Sequence, residues 1–97
     1  MFITFEGPDG SGKTTQLHSL QGYLLKVGYP IVVLREPGGT DIGDQIRQVL
    51  HDPANVTMDP RAEVLLYSAS RAQLTGEVIV PALRSGKMVL CDRFAES

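Results

Sequence analysis

The sequence predicts an α/β fold: a parallel sheet with helices on its faces. Two observations lead there. Three short apolar runs, "FITFE", "PIVVLR" and "KMVLCD", are separated by stretches with helical periodicity. Strands alternating with helices require crossover connections, and those are right-handed and give parallel pairing. The runs are also nearly continuous rather than alternating, as expected for strands covered on both faces. With 97 residues the chain holds one domain at most.

Residues 2–6 are β-branched or aromatic and are followed by glycine, so they read as a buried strand. From Lys13 to Val27, the residues Leu17, Leu20, Leu24 and Val27 recur at steps of three and four, one apolar helical stripe. Gly28 and Pro30 then stop the helix. The second strand ends near Arg35, and "EPGGT" is a turn. Thr40 or Asp41 caps a helix running to about His51, with Ile42, Ile46, Val49 and Leu50 on one side. Asp59 caps a further helix through "RAEVLLYSASRAQL", with Pro60 at its first position. Gly76 is expected to interrupt that helix, and Pro81 to prevent a regular helix over "EVIVPALRSG". "KMVLCD" closes the order as the third strand.

Bulk properties narrow the function. An apolar fraction of 42 % with 21 % charged residues is ordinary for a soluble globular chain. A net charge of -2 and a pI near 5.5 argue against nonspecific nucleic-acid binding. Cys91 is the single cysteine, so no internal disulfide can form, which fits a reducing cytoplasm. No signal peptide and no membrane-spanning stretch are read, so no membrane partner is expected.

In such sheets ligands bind beyond the carboxyl ends of the strands. Those ends carry three polar motifs. The first is "EGPDGSGKTT", in which Gly7, Gly12, Lys13 and Thr14 have the spacing of a phosphate-binding P-loop. The loop from Gly7 through Pro8, Asp9, Gly10, Ser11 and Gly12 to Thr15 would wrap the phosphates of a nucleotide, with the backbone N–H groups of all but Pro8 turned toward them. Lys13 would reach the β- and γ-phosphates, and the Thr14 hydroxyl would ligate Mg²⁺. The second motif, "CDRF", places Asp92 where proteins of this class keep a metal-assisting carboxylate. Arg93 beside it suits bidentate grip on a second phosphate. A GTPase would usually carry glycine three residues after that aspartate, where this chain has Ala95. The third, "REPGGT", offers Arg35 and Glu36, and reads equally well as a plain turn with solvated charges. Within "LLYSASRAQL", Tyr67 and Arg71 are four apart and share a helix face. A base could stack on the ring and bond the guanidinium. A core aromatic beside a surface arginine is the alternative.

Together these segments resemble the bacterial thymidylate kinases, through "FITFEGPDGSGKTT", "REPGGTDIGDQIR", "LLYSASRAQ" and "VLCDRF" in order, over essentially all 97 residues. The resemblance implies a P-loop NTPase-type fold and transfer of phosphate from ATP to thymidine monophosphate (dTMP), giving thymidine diphosphate. It implies that Asp9 bonds the deoxyribose hydroxyl, Tyr67 stacks on thymine and Arg71 bonds its carbonyl. Arg93, Arg35 and Arg47 would surround the acceptor phosphate, with Ser97 near the same pocket. Glu36, through water, and Asp92 would order Mg²⁺. Lys13, Asp92 and Arg93 are then the residues assigned to catalysis. Members with Gly10 and Ser11 at these P-loop positions take their catalytic arginine from a later lid. The family sheet has five strands, with the third lying between the first and second, so three strands are expected here. Lid and further strands come later in the family, so these 97 residues alone are expected not to turn over. The family also implies a homodimer, with the helix at residues 60–75 as the family's contact; the open apolar edge of residues 2–6 is the alternative route to self-association. A noncatalytic nucleotide-binding module, or another P-loop nucleoside or nucleotide kinase, remains an alternative.

Overall fold

In the computed structural model, residues 1–7 and 12–94 are described. Three parallel strands, β1 (Phe2–Gly7), β2 (Ile31–Glu36) and β3 (Met88–Phe94), lie in the order β1-β3-β2. This is the expected order, with the last strand in the centre. Its position between two neighbours explains its burial: Val89, Leu90 and Cys91 are fully inaccessible. The flanking strands are less covered than their apolar runs suggest. Val33 on β2 is 40 % exposed and Phe2 on β1 39 %. A strand paired on one side only has a flank that its neighbours leave open.

Side chains alternate across a strand, so β3 divides the core in two. On one face Met88 and Leu90 pack with Leu17 and Leu24 of α1 (Lys13–Lys26). On the other, Val89 and Cys91 pack with Leu74, Ile79 and Ala82. Val27, expected as the last member of the α1 stripe, does not join the core. It caps the helix end and is 58 % exposed.

Helix α2 (Asp41–His51) is capped by Thr40, whose Oγ1 accepts from the Gly43 amide at 2.9 Å. It packs chiefly on α3 (Pro60–Leu74) rather than on the sheet, which leaves Ile42 and Val49 exposed. Asp59 caps α3 through the Arg61 amide, with Pro60 in the first turn, as expected.

The expected break at Gly76 does not occur. The chain stays helical through a π-turn at Thr75–Ile79 and enters α4 (Val80–Arg84). The Val80 amide reaches back five residues to the Thr75 carbonyl, and the Thr75 hydroxyl donates to the Arg71 carbonyl at 2.8 Å. A widened turn accommodates Pro81, which lacks an N–H and crowds the carbonyl four residues before it. Burial of Leu74, Ile79 and Ala82 against β3 outweighs both helix-breaking residues.

Candidate active site

The sheet's register brings candidate residues into two rows at the carboxyl ends of the strands. Phe5, Asp92 and Arg35 are directly opposite one another, and so are Glu6, Arg93 and Glu36. Adjacent rows point to opposite faces. Asp92 therefore belongs to the α1 face and Arg93 to the α3 face. β3 runs two residues beyond its predicted end, to Phe94, and this keeps Arg93 in register.

On the α1 side, the Lys13 ammonium lies 2.6 Å from Asp92 Oδ1, with both side chains about 5 % exposed. Lys13 also reaches the Arg93 carbonyl at 3.4 Å. Gly12 precedes Lys13 with φ of 86°, a left-handed conformation that glycine adopts without a Cβ penalty and that lets α1 start there. Asp92 Oδ2 accepts from Nε and Nη2 of Arg35 at 3.3 and 3.2 Å. Its buried Oδ1 has the ammonium charge nearby but no aligned hydrogen bond.

On the α3 side, Glu36 is the organising residue. Its Oε1 accepts from Arg71 Nε at 2.8 Å. Its Oε2 accepts from Arg93 Nε at 2.5 Å and from the Cys91 thiol at 3.0 Å. Burial alone raises the Glu36 pKa. The donors Cys91, Arg71 and Arg93 more than reverse this and hold the carboxyl below its ordinary value. Burial, then the hydrogen bond and charge of Glu36, push the Cys91 thiol up to about 12. Cys91 is thus a protonated donor rather than a nucleophile. Arg93 also meets Glu6 at 3.5 Å and lies over the Phe2 ring at 5.5 Å.

A cavity of about 230 Å³ opens at this edge, lined by Lys13, Arg35, Glu36, Pro37, Arg47, His51, Tyr67 and Asp92. Six of the residues singled out from the sequence thus share one wall. Arg71 and Arg93 stand behind it, bonded to Glu36. Thr15 is exposed on the first turn of α1, and Gly7 ends β1. Pro8, Asp9, Gly10, Ser11 and Ser97 lie outside the described residues, as does the Thr14 side chain. His51 and Pro37 were not singled out from the sequence as site residues. His51 comes one helical turn after Arg47, so the i, i+4 rule could have found it. Two supports were also missed. Cys91 lies two residues before Arg93 on the same strand face. Ser70 is buried, and its hydroxyl accepts from the Gly38 amide at 3.0 Å, pinning the "EPGGT" turn to α3.

The donor chemistry fits a hard divalent cation. Asp92 presents a buried carboxylate oxygen without an aligned hydrogen bond. Among the described residues no cluster of three or more His, Cys, Asp or Glu forms a cage. Mg²⁺ typically takes one or two carboxylates and completes its shell with water and substrate phosphate.

Comparison with known proteins identifies the family and the fold. A family model described as thymidylate kinase matches residues 5–97. A thymidylate kinase from Exiguobacterium sp. is 60 % identical over all 97 residues, and one from Herpetosiphon aurantiacus 55 %. The crystal structure of thymidylate kinase from Ehrlichia chaffeensis superposes with a TM-score of 0.83 at 44 % identity, covering 97 % of this chain and 53 % of that one. The chain spans 46 % and 41 % of the length of those two curated relatives. With a match that covers nearly every residue and a common fold, this chain belongs to the thymidylate kinase family.

Proposed function

We propose that the protein carrying these residues transfers the terminal phosphoryl group of ATP to the phosphate oxygen of dTMP, forming thymidine diphosphate and releasing ADP. The observation that supports this most is the shared wall. One cavity joins the buried Lys13–Asp92 pair to Arg35, Arg47 and Tyr67. A donor phosphate at Lys13 and an acceptor near the two arginines would then be neighbours. The acceptor oxygen is already anionic, so no general base is required, and the residues act by positioning and by offsetting charge.

In this reading the P-loop amides from Gly7 to Thr15, with Lys13, hold the donor phosphates. Arg35, Arg47 and Arg93 hold the acceptor phosphate, Tyr67 stacks on the base, and Arg71 bonds it. Asp9 and Ser97 complete the acceptor site. Thr14 and Asp92 would hold Mg²⁺, which offsets phosphate charge; Glu36 orders its waters while fixing Arg71 and Arg93. The residues form part of a single nucleoside monophosphate kinase domain, cytoplasmic and homodimeric.

The test is ADP release by the full-length protein with ATP, Mg²⁺ and either dTMP or another monophosphate. Preference for dTMP is expected. Preference for a different acceptor, or none, would overturn the reading. Arg71→Ala should raise the KM for dTMP about ten- to a hundredfold, as for loss of a charge-assisted hydrogen bond, with little change for ATP.

A further inference from the structure

We propose that Cys91 is a positioning residue for the acceptor: its thiol donates to Glu36 and thereby fixes the two guanidinium groups that hold dTMP; this rests on the dTMP reading above. Among the described residues, Glu36 accepts from three side chains. Arg71 Nε reaches Oε1 at 2.8 Å, and Arg93 Nε and Cys91 Sγ reach Oε2 at 2.5 and 3.0 Å. Two of these donors are the ligand-holding residues themselves. Both are arginines on long, flexible stems, and the Arg71 side chain is 45 % exposed. They cannot fix the carboxylate that is to fix them. Cys91 is better placed for it. Its sulfur hangs by a single torsion from β3, the central strand, and the residue is fully inaccessible among Val89, Leu74, Ile79 and Ala82. The register sets Cys91 opposite Leu34 and Arg93 opposite Glu36, so the thiol meets Glu36 as its diagonal neighbour on the same sheet face.

A carboxylate held by two mobile cations alone can turn or slide toward either one. A third, rigid donor on Oε2 fixes its rotation, and the directions of Arg71 and Arg93 follow. The thiol suits that place because it donates without carrying charge; burial and the adjacent Glu36 keep it protonated. Cys91 touches no ligand itself. It acts on dTMP through Glu36, whereas the Lys13–Asp92 pair assigned to the donor phosphates lies on the opposite sheet face. Its effect therefore concerns dTMP and not ATP.

The experiment measures Kd for dTMP and, separately, for ATP with Mg²⁺ by calorimetry, in the full-length wild-type protein and in Cys91→Ser, Cys91→Ala and Cys91→Val, with a thermal melt of each. Cys91→Ala and Cys91→Val remove the donor and should weaken dTMP about two- to tenfold, the scale of one hydrogen bond, with ATP unchanged. Cys91→Ser keeps a donor on the same torsion and should bind dTMP as the wild type does. Serine and alanine both leave space where the sulfur was, so a merely structural role would make them weaken dTMP alike, in step with their melts. That result would overturn the proposal. So would equal weakening of ATP and dTMP, or no effect of any substitution. Valine fills the space without a donor, so the comparison with serine survives if the alanine variant fails to fold. Arg71→Ala separates the two levels. If it weakens dTMP while the Cys91 variants do not, only the present inference fails. If the wild-type protein does not bind dTMP, the acceptor reading itself is wrong.

Discussion

Glu36 shows how one side chain governs several others. It accepts from Arg71, Arg93 and Cys91, and so fixes two guanidinium groups assigned to the acceptor. Its lowered pKa means that the unfolded chain binds a proton more readily. Stability from Glu36 is therefore present above its unfolded pKa, near 4.5, and is lost as pH falls through the lower folded value. Thermal melts of wild type and Glu36→Gln should differ most above pH 5, and the difference should shrink as pH falls from 4.5 through the lower folded value. A constant difference would show that the Glu36 charge does not stabilise the fold. At Ser70, truncation to alanine leaves the buried Gly38 amide unsatisfied and should cost about 1–3 kcal/mol in denaturant unfolding. Unchanged stability would mean that the turn relaxes or that water replaces the hydroxyl. The acidic residue of "REPGGT" was legible from the sequence as a site residue. Its partnership with Cys91 was not, because the two are 55 positions apart and meet only through strand order.

Among the elements, the helical run from Pro60 to Arg84 departs most from its sequence. Gly76 and Pro81 signal a break, but packing against β3 holds the segment helical. A Cβ at Gly76 would meet nothing within 4 Å, and its φ is not positive. Gly76→Ala should therefore raise stability by roughly 0.5–1 kcal/mol, by restricting the unfolded chain and favouring helix. Gly43 predicts the opposite. A Cβ there would come within 2.9 Å of the Thr40 hydroxyl and 3.1 Å of the Ser70 hydroxyl. Gly43→Ala should lower the melting temperature, disturbing both the α2 cap and the Ser70 bond. If the two substitutions shifted the melt in the same direction, the packing at one of these glycines would be wrong. The sequence suggests a break at Gly76 and none at Gly43, yet both are helical; the neighbours a Cβ would meet set them apart.

These 97 residues form an elongated body, 48 × 29 × 17 Å, with a radius of gyration of 14.7 Å. A compact chain of this length would have about 12.5 Å. Elongation leaves apolar side chains uncovered, among them Val64 and Leu65 on α3 at 56 % and 69 % exposure. These fall within the helix proposed as the homodimer contact. Leu65→Glu should shift the sedimentation coefficient toward monomer, without loss of helical circular dichroism. A wild-type monomer at high concentration would remove the dimer proposal. No helix among the described residues is long and apolar enough to cross a membrane.

By itself the sequence determined the strands, α1, α2 and the start of α3, because apolar periodicity, caps and glycine spacing are local properties; the course of the chain past Gly76 it did not determine. Thr40, Asp59, Pro60 and the start of α1 at Lys13 are all set by neighbours within a few residues. It also determined which residue types gather at the strand ends, since a parallel sheet collects those ends on one edge. Only the tertiary structure decided which face each takes. Asp92 and Arg93 are adjacent in the chain, yet the pleat sends one to Lys13 and the other to Glu36. Central placement of β3 decided that its four residues from Met88 to Cys91 are buried while similar runs in β1 and β2 are not. Burial and pairing depend on what lies across the sheet, and that is set by contacts between distant parts of the chain.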